Sequence, residues 1–137
     1  TYRAIPFMVE RGHDFEALFP GLSNPHHVIA PEQKALYHAL CVIAGNFTQI
    51  LWQAAGRRFD AELGIPPQAL QAYLQQSLDN FLADPEGALT GPLARGDTAT
   101  QARNRVALEQ DPLEDLYRAF VDFHDEHRPT ESRQTAS

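Results

Sequence analysis

One apolar stripe in the middle of the sequence constrains the fold more than any other feature. Between Pro31 and Leu63, apolar residues recur at alternating spacings of four and three, which is the repeat of one face of an α-helix. The members of this apolar stripe are Leu36, Leu40, Ile43, Phe47, Ile50 and Ala54. Pro31 suits the first helical position and Gly64 suits the residue after the last one. The pattern predicts one long helix over residues 31–63, with the stripe in a continuous core.

Three further helices are predicted after the long one. Pro66 and Pro67 open the first of them, because proline is tolerated in the first turn of a helix. Thr98 begins the second, in a capping-box spacing with Gln101. Asp111 begins the third as its cap. Residues 31–127 are therefore predicted to form a helical domain, and the polar residues 128–137 to be a disordered tail.

The first thirty residues follow a different pattern. Residues 4–9 and 27–29 read as two short apolar strands, and residues 15–19 read as a helical turn between them. Two strands alone make a marginal sheet, so we expect them to pair with another molecule or to be the edge of a larger sheet. The predicted fold class is mainly α: a helical bundle built on one long helix, preceded by this strand-helix-strand segment.

Composition narrows the class of protein. A length of 137 residues fits one domain with one core, and the net charge of -7, with only scattered basic residues, argues against nucleic-acid or anionic-membrane partners. The single Cys41 excludes an internal disulfide and fits the cytoplasm. The longest wholly apolar run, residues 39–44, is too short to cross a bilayer. A start at Thr1 without methionine suggests a piece of a longer protein.

The face of the long helix opposite the apolar stripe is a candidate binding surface. It carries Lys34, His38, Val42, Gly45, Gln49, Trp52 and Gly56. Each of the two glycines costs about 1 kcal/mol relative to alanine, which suggests that a ligand or another helix approaches the backbone there.

His38 and Asn46 are the candidate catalytic residues of the long helix. In a regular helix their Cα atoms lie about 12 Å apart along the axis, so the two cannot share a metal ion. They can contact different parts of one ligand, with His38 as proton donor or acceptor and Asn46 holding a carbonyl or carboxylate. The alternative is structural, a histidine bonded to a neighbour and an amide at a helix crossing.

The loop at residues 88–97 joins two helical segments. We expect Gly91 to be extended because a proline follows it, and Gly96 to adopt a positive φ before a helix capped by Asp97 or Thr98.

This loop is a candidate anion site. Thr90, Arg95 and the free amides at the start of the helix would suit a carboxylate or phosphate, unless Asp97 occupies those amides itself. The alternative interpretation is an ordinary capped turn.

Other constellations carry weaker signals. His124 and His127, and the adjacent His26 and His27, allow a metal-binding interpretation, although a solvated helix end explains the first pair more simply, and we expect no metal site. The sequence contains no glycine-rich phosphate loop and no serine or cysteine nucleophile motif.

Four segments together resemble a bacterial family pattern: residues 5–10, 34–39, 45–47 and 89–97. The most specific of them is the loop, which reads Thr-Gly-Pro-Leu-Ala-Arg-Gly-Asp from residue 90. The pattern is similar to the C-terminal part of Rossmann-like oxidoreductases whose helical domain has no known function. That domain is similar to the C-terminal domain of 6-phosphogluconate dehydrogenase. The resemblance extends over residues 4–123.

The resemblance implies an upstream dinucleotide-binding domain, with residues 1–30 as the remnant of its sheet. It implies NAD or NADP as the cofactor of the full-length protein, with none bound by this chain alone. It also implies a homodimer through the helical domain, and a small substrate with a carbonyl or imine group and a carboxylate. The site residues implied are His38 and Asn46 for catalysis, and Lys34, Thr90, Arg95 and Asp97 for substrate binding. The alternative function is a non-catalytic oligomerisation or interaction module.

Overall fold

The computed structural model describes residues 2–127 of the chain, so the tail predicted at residues 128–137 lies outside the described residues. The fold is mainly α with a short strand-helix-strand segment, as predicted. The elements are a 3₁₀ turn (Tyr2–Ala4), β1 (Phe7–Glu10), α1 (Phe15–Leu18), β2 (His26–Ile29), a second 3₁₀ turn (Pro31–Gln33), α2 (Lys34–Cys41), a π-helical segment (Val42–Phe47), α3 (Thr48–Leu63), α4 (Ala69–Ala83), α5 (Gly91–Arg95), α6 (Thr98–Ala107) and α7 (Pro112–His127).

The chain divides into two compact units, Thr1–Ala69 and Leu70–Ser137, so the expectation of a single core is wrong. Among the described residues, the buried apolar side chains are those of Val9, Phe15 and Ala30, all in the first unit. The division falls inside the predicted helical domain, whose boundaries at residues 30 and 127 stay predictions.

The two strands of the first unit form a parallel pair in which Phe7 lies opposite His26 and Glu10 opposite Ile29. The connection between them is closed by aromatic packing, because the Phe15 ring lies 5.3 Å from that of Phe7 and stacks on that of His26 at 4.6 Å. β1 begins at Phe7, three residues later than predicted, since the chain first makes a 3₁₀ turn.

The long helix runs from Pro31 to Leu63 without interruption, as predicted. It ends at Gly64, whose φ of 63° is left-handed, while the Gly64 N–H donates to the Asp60 carbonyl at 3.1 Å. The N–H of the next residue, Ile65, donates to the Phe59 carbonyl at 2.8 Å. These bonds satisfy the last carbonyl groups of the helix and fix its end.

The middle of the long helix departs from the regular geometry that the sequence analysis assumes. Residues Val42–Phe47 are π-helical. A π turn closes an i→i+5 hydrogen bond, so it takes up more residues than an α turn and rotates the side chains that follow it. The directions predicted for His38 and Asn46 in a regular helix therefore do not apply, because Asn46 lies inside this segment.

The apolar stripe is not part of a core in this chain, which corrects the prediction. Its five large side chains, from Leu36 to Ile50, are between 51% and 62% exposed. Periodicity predicts which side chains share a face, but the buried residues of the first unit lie around the strands instead. From Leu36 to Ile50, the stripe is thus an apolar surface that is exposed to water in the isolated chain.

By length and composition alone, the long helix could cross a membrane, since its most apolar window of 18 residues has a mean hydropathy of 1.2 and none of it is buried. The same helix carries the polar side chains of Lys34, His38, Asn46 and Gln49, which a bilayer would have to desolvate. The absence of a membrane partner remains a prediction.

The second unit is held by polar contacts between its helices. Asn104 of α6 donates to the Tyr117 hydroxyl of α7 at 3.2 Å, and Arg105 donates to Glu114 at 2.8 Å. α7 begins as predicted, because the Asp111 carboxylate accepts from the Leu113 N–H at 2.7 Å.

We predict opposite effects for alanine at two glycines of the long helix. Gly64→Ala lowers the free energy of unfolding by about 1 kcal/mol, because a left-handed conformation is strained for alanine. Gly45→Ala raises it by about 0.5 kcal/mol, since a methyl group there meets no atom within 4 Å. Urea unfolding at one protein concentration measures both. A loss in Gly45→Ala as large as that in Gly64→Ala would contradict the prediction.

Candidate functional site

A pocket of about 340 Å³ lies in the first unit, along the whole of β1 and beside Ile29 at the end of β2. Glu10 lies at the carboxyl end of β1, which is the edge of a parallel sheet at which α/β proteins bind their ligands. Ten residues line the pocket: Phe7, Met8, Val9, Glu10, His13, Leu18, Phe19, Ile29, Lys34 and Tyr37. Its walls are mainly apolar, and four titratable side chains supply its polar groups.

An ion pair between Glu10 and Lys34 joins the end of β1 to the start of α2. The hydrogen bond from Lys34, and then its charge, hold the pKa of Glu10 below its ordinary value of 4.5. Only about a third of the Glu10 side chain is exposed, whereas that of Lys34 is 66% exposed. The ammonium group has three donors and the pair uses one, so Lys34 can still bind a ligand.

Tyr37 lies one turn after Lys34 and lines the same pocket. A side-chain hydrogen bond with Cys41, and then burial, raise the pKa of the Tyr37 phenol above its ordinary value of 10. The hydrogen bond that raises this pKa is one in which the phenol donates its single proton to Cys41, so toward a ligand the Tyr37 oxygen is an acceptor. The polar end of the pocket thus combines a carboxylate, an ammonium group and a neutral phenol.

Of the predicted site residues, Lys34 is the one that lines this pocket. His38 and Asn46 are exposed on the long helix and are not among the residues around the pocket. Their catalytic roles remain predictions. Sequence reasoning missed Glu10 and Tyr37, although the position of Glu10 at the end of a predicted strand was a usable signal.

The two glycines of the polar helix face have different surroundings. A methyl group placed on Gly56 would make an ordinary van der Waals contact, at 3.9 Å, with the Cβ atom of Pro67. Gly45 has open space above it among the described residues. Close packing among the described residues thus requires glycine at neither position.

The loop at residues 88–97 belongs to the second unit and contains the short helix α5. Gly91 has a φ of 85°, so the expectation of an extended conformation is wrong, whereas Gly96 has the predicted positive φ, at 65°. Thr90 and Arg95 are exposed. Their predicted role in substrate binding remains a prediction, as does that of Asp97.

Asp97 caps α6 in the way that the capped-turn interpretation expects. Its carboxylate accepts from the Thr100 N–H at 2.9 Å and from the Thr100 hydroxyl at 2.7 Å. These hydrogen bonds, followed by the charges of Arg103 and Arg95, lower the pKa of Asp97. The predicted capping box of Thr98 and Gln101 is wrong, since Asp97 is the cap and the Gln101 side chain donates to the Pro92 carbonyl at 3.4 Å.

Neither the pocket nor the loop suits the diphosphate of a nicotinamide dinucleotide. The pocket holds one ammonium group, already paired with the Glu10 carboxylate, and Asp97 occupies the Thr100 amide at the start of α6. The sequence also lacks a glycine-rich phosphate loop. The described residues therefore do not form a nucleotide site, and no reaction step through the cofactor follows from them.

Within residues 2–127, no group of three or more histidine, cysteine, aspartate or glutamate side chains could hold a metal ion. The Nδ1 atom of His127 lies 2.8 Å from the Phe123 carbonyl oxygen, and the imidazole ring stacks on the Phe123 ring. These two contacts account for the position of the His127 side chain at the end of α7.

The chain is similar to a protein family in sequence and to a solved protein in fold. The model of a family described as "Domain of unknown function (DUF2520)" matches residues 10–122. The crystal structure of a protein described as a "putative NADP oxidoreductase", from Bacteroides fragilis, has the same fold, with a TM-score of 0.76 and 23% sequence identity. The match covers 91% of this chain and 51% of that one, so this chain spans about half the length of that protein. No curated protein matches the chain in sequence.

The ion pair in the pocket leads to a prediction about Glu10. Lys34→Met raises the pKa of Glu10 toward 4.5, because the substitution removes both the hydrogen bond and the positive charge that lower it. In the unsubstituted chain, the contribution of the pair to stability is complete above pH 4.5 and is lost as the pH falls through the depressed pKa, since the unfolded state takes up its proton first. Carboxyl ¹³C NMR titration measures the shift.

A matched control lies on α3, where Arg58 binds Glu62 at 2.6 Å and lowers the pKa of Glu62. Arg58→Met should raise the pKa of Glu62 and leave that of Glu10 unchanged. If Lys34→Met left the Glu10 titration where it was, the pair would not control this carboxyl group.

Proposed function

The chain belongs to the DUF2520 family, and from that premise we propose that it is the dimerisation and substrate-cleft domain of an NAD(P)-dependent oxidoreductase. The observation that carries the proposal is that the long helix presents an exposed apolar face and also supplies residues to the pocket. One face is an exposed apolar stripe, and the first turns of the helix supply Lys34 and Tyr37 to a pocket with a polar end. The likeness of fold to half of a protein described as an NADP oxidoreductase supports the same function.

Dimerisation follows from the spacing and the exposure of the apolar stripe. On either side of the π-helical segment the stripe keeps intervals of four and three, which are those of the contact positions in packed helix pairs, and the segment rotates one part of the stripe relative to the other. A second copy presents the same two parts. Burying a half-exposed leucine, isoleucine or phenylalanine gains on the order of 1 kcal/mol. Five such side chains from each protomer therefore contribute on the order of 10 kcal/mol, from which the cost of association is subtracted.

The chemistry of the proposed substrate follows from the polar residues of the first unit. Lys34 would bind a substrate carboxylate through its free donors. Asn46 lies twelve residues further along the helix and outside the pocket, so it would orient the carbonyl or imine group of a substrate held between two copies of the chain. His38 would give or take the proton as that group is reduced or formed. Thr90, Arg95 and Asp97 are further substrate-binding residues in this proposal.

A nicotinamide cofactor, NAD or NADP, would supply or accept the hydride in the whole protein. Neither the pocket nor the loop fits its diphosphate, so in this proposal the part of this chain is to hold the substrate and to give or take the proton. A cytoplasmic location, where the exposed Cys41 thiol stays reduced, is part of the same proposal.

A non-catalytic oligomerisation module is the second candidate. The position of His38 and Asn46 outside the pocket favours it, because the apolar stripe alone then accounts for the long helix. The two candidates share the dimer and differ in whether His38 contributes to turnover.

We expect the chain to be a dimer of twice 15.3 kDa by light scattering over a range of concentrations. Leu40→Lys places a charge within the apolar stripe and should weaken the dimer at least tenfold, since a buried unpaired charge is costly. Gln49→Lys, at an exposed polar position of the same helix, is the matched control and should leave the dimer intact. A wild-type monomer at every concentration would contradict the dimer, as would equal effects of the two substitutions.

We also expect His38→Ala in the full-length protein to lower turnover about 100-fold, which is the lower range for the loss of a general acid or base. Dimer mass and substrate KM should change little. Unchanged turnover with its true substrate would reject the catalytic role of His38 and favour the non-catalytic module.

A further inference from the structure

We propose that the pocket along β1 binds a small zwitterion with an apolar side chain, of the class of α-amino acids and α-imino acids. This inference rests on the proposed function, because it narrows the substrate class of a site that includes Lys34. It uses three features of the pocket: its paired charges, its apolar walls and its size.

The paired charges favour a zwitterion over a simple anion. The charges of Glu10 and Lys34 sum to zero, and His13 is the third ionisable group of the pocket that interacts with Glu10. A ligand carboxylate alone therefore meets the repulsion of Glu10 as well as the attraction of Lys34. A zwitterion presents both signs of charge. Its carboxylate can take the free donors of Lys34 while its ammonium or iminium group binds the free lone pairs of Glu10.

The Glu10 carboxyl group is charged at neutral pH, because its pKa lies below 4.5, so it can receive a cationic nitrogen. The oxygen of Tyr37 adds an acceptor in the same pocket, because the proton of the phenol is engaged with Cys41. The protein carries a net charge of -7, which further disfavours ligands with a net negative charge.

The walls and the size of the pocket define the rest of the ligand. Phe7 and Phe19 have ring centroids 5.9 Å apart, and with Leu18 they form an apolar wall beside the polar end. A volume of about 340 Å³ is at the small end of the range for ligand pockets. It suits a single amino acid with an apolar side chain and is too small for a dinucleotide.

Three probes with the same aromatic side chain test the inference: L-phenylalanine, 3-phenylpropionate and 2-phenylethylamine. We expect L-phenylalanine to bind most tightly to the 137-residue chain, as measured by NMR titration of the backbone amides of residues 7–10. Glu10→Gln should weaken L-phenylalanine about tenfold and strengthen 3-phenylpropionate, because Lys34 is then uncompensated. Lys34→Met should weaken both carboxylates about tenfold and strengthen 2-phenylethylamine.

Arg58→Met is the matched control, since it removes a charge from an ion pair on α3 that is not part of the pocket, and it should leave all three affinities unchanged. The reciprocal change in preference cannot arise from general loss of structure, because each variant must bind one probe more tightly. Preference for 3-phenylpropionate in the wild-type chain, or binding of no probe at residues 7–10, would overturn the inference. The light-scattering mass of the same samples separates that result from a failure of the proposed dimer.

Discussion

One face of the long helix is apolar and exposed to water. The proposed assembly of this chain depends on the free energy that burying this face would release. An isolated helix gains little from its own hydrogen bonds, and helices in proteins are stabilised mainly by burying an apolar face. Here the large side chains of the apolar stripe are half exposed, and the buried apolar residues of the same unit lie around the two strands. The long helix is thus continuous in its backbone, but its apolar face packs against nothing that buries it among the described residues. This is the physical basis for proposing a second copy as its partner.

The Glu10–Lys34 pair has a different importance, because it connects two parts of the first unit that local structure would leave independent. It joins the last residue of a strand to the first residue of α2. A pair this exposed contributes little to stability in water. Its larger effect is on the pocket, where it supplies two opposite charges within one hydrogen bond of each other and so determines which ligands the polar end can accept.

In the loop of the second unit, Asp97 is both the cap of a helix and a candidate substrate-binding residue, and these two roles compete. Asp97 belongs to the segment that most specifically resembles the oxidoreductase family, and it is also the cap of α6. A carboxylate that already accepts from an amide at a helix start competes with any ligand anion for that amide. A role of Asp97 in substrate binding would therefore have to use its remaining lone pairs, toward a donor on the ligand.

The sequence by itself determined the features that depend on residues close together along the chain. The bounds of the long helix, the left-handed Gly64 and the cap at Asp97 follow from propensity and capping, so they could be predicted. Tertiary structure alone decided the pairing of Glu10 with Lys34, the place of Tyr37 in the pocket and the exposure of the apolar stripe. The physical reason is that periodicity specifies which side chains share a face, whereas burial and charge pairing depend on residues that are distant in sequence or belong to another molecule.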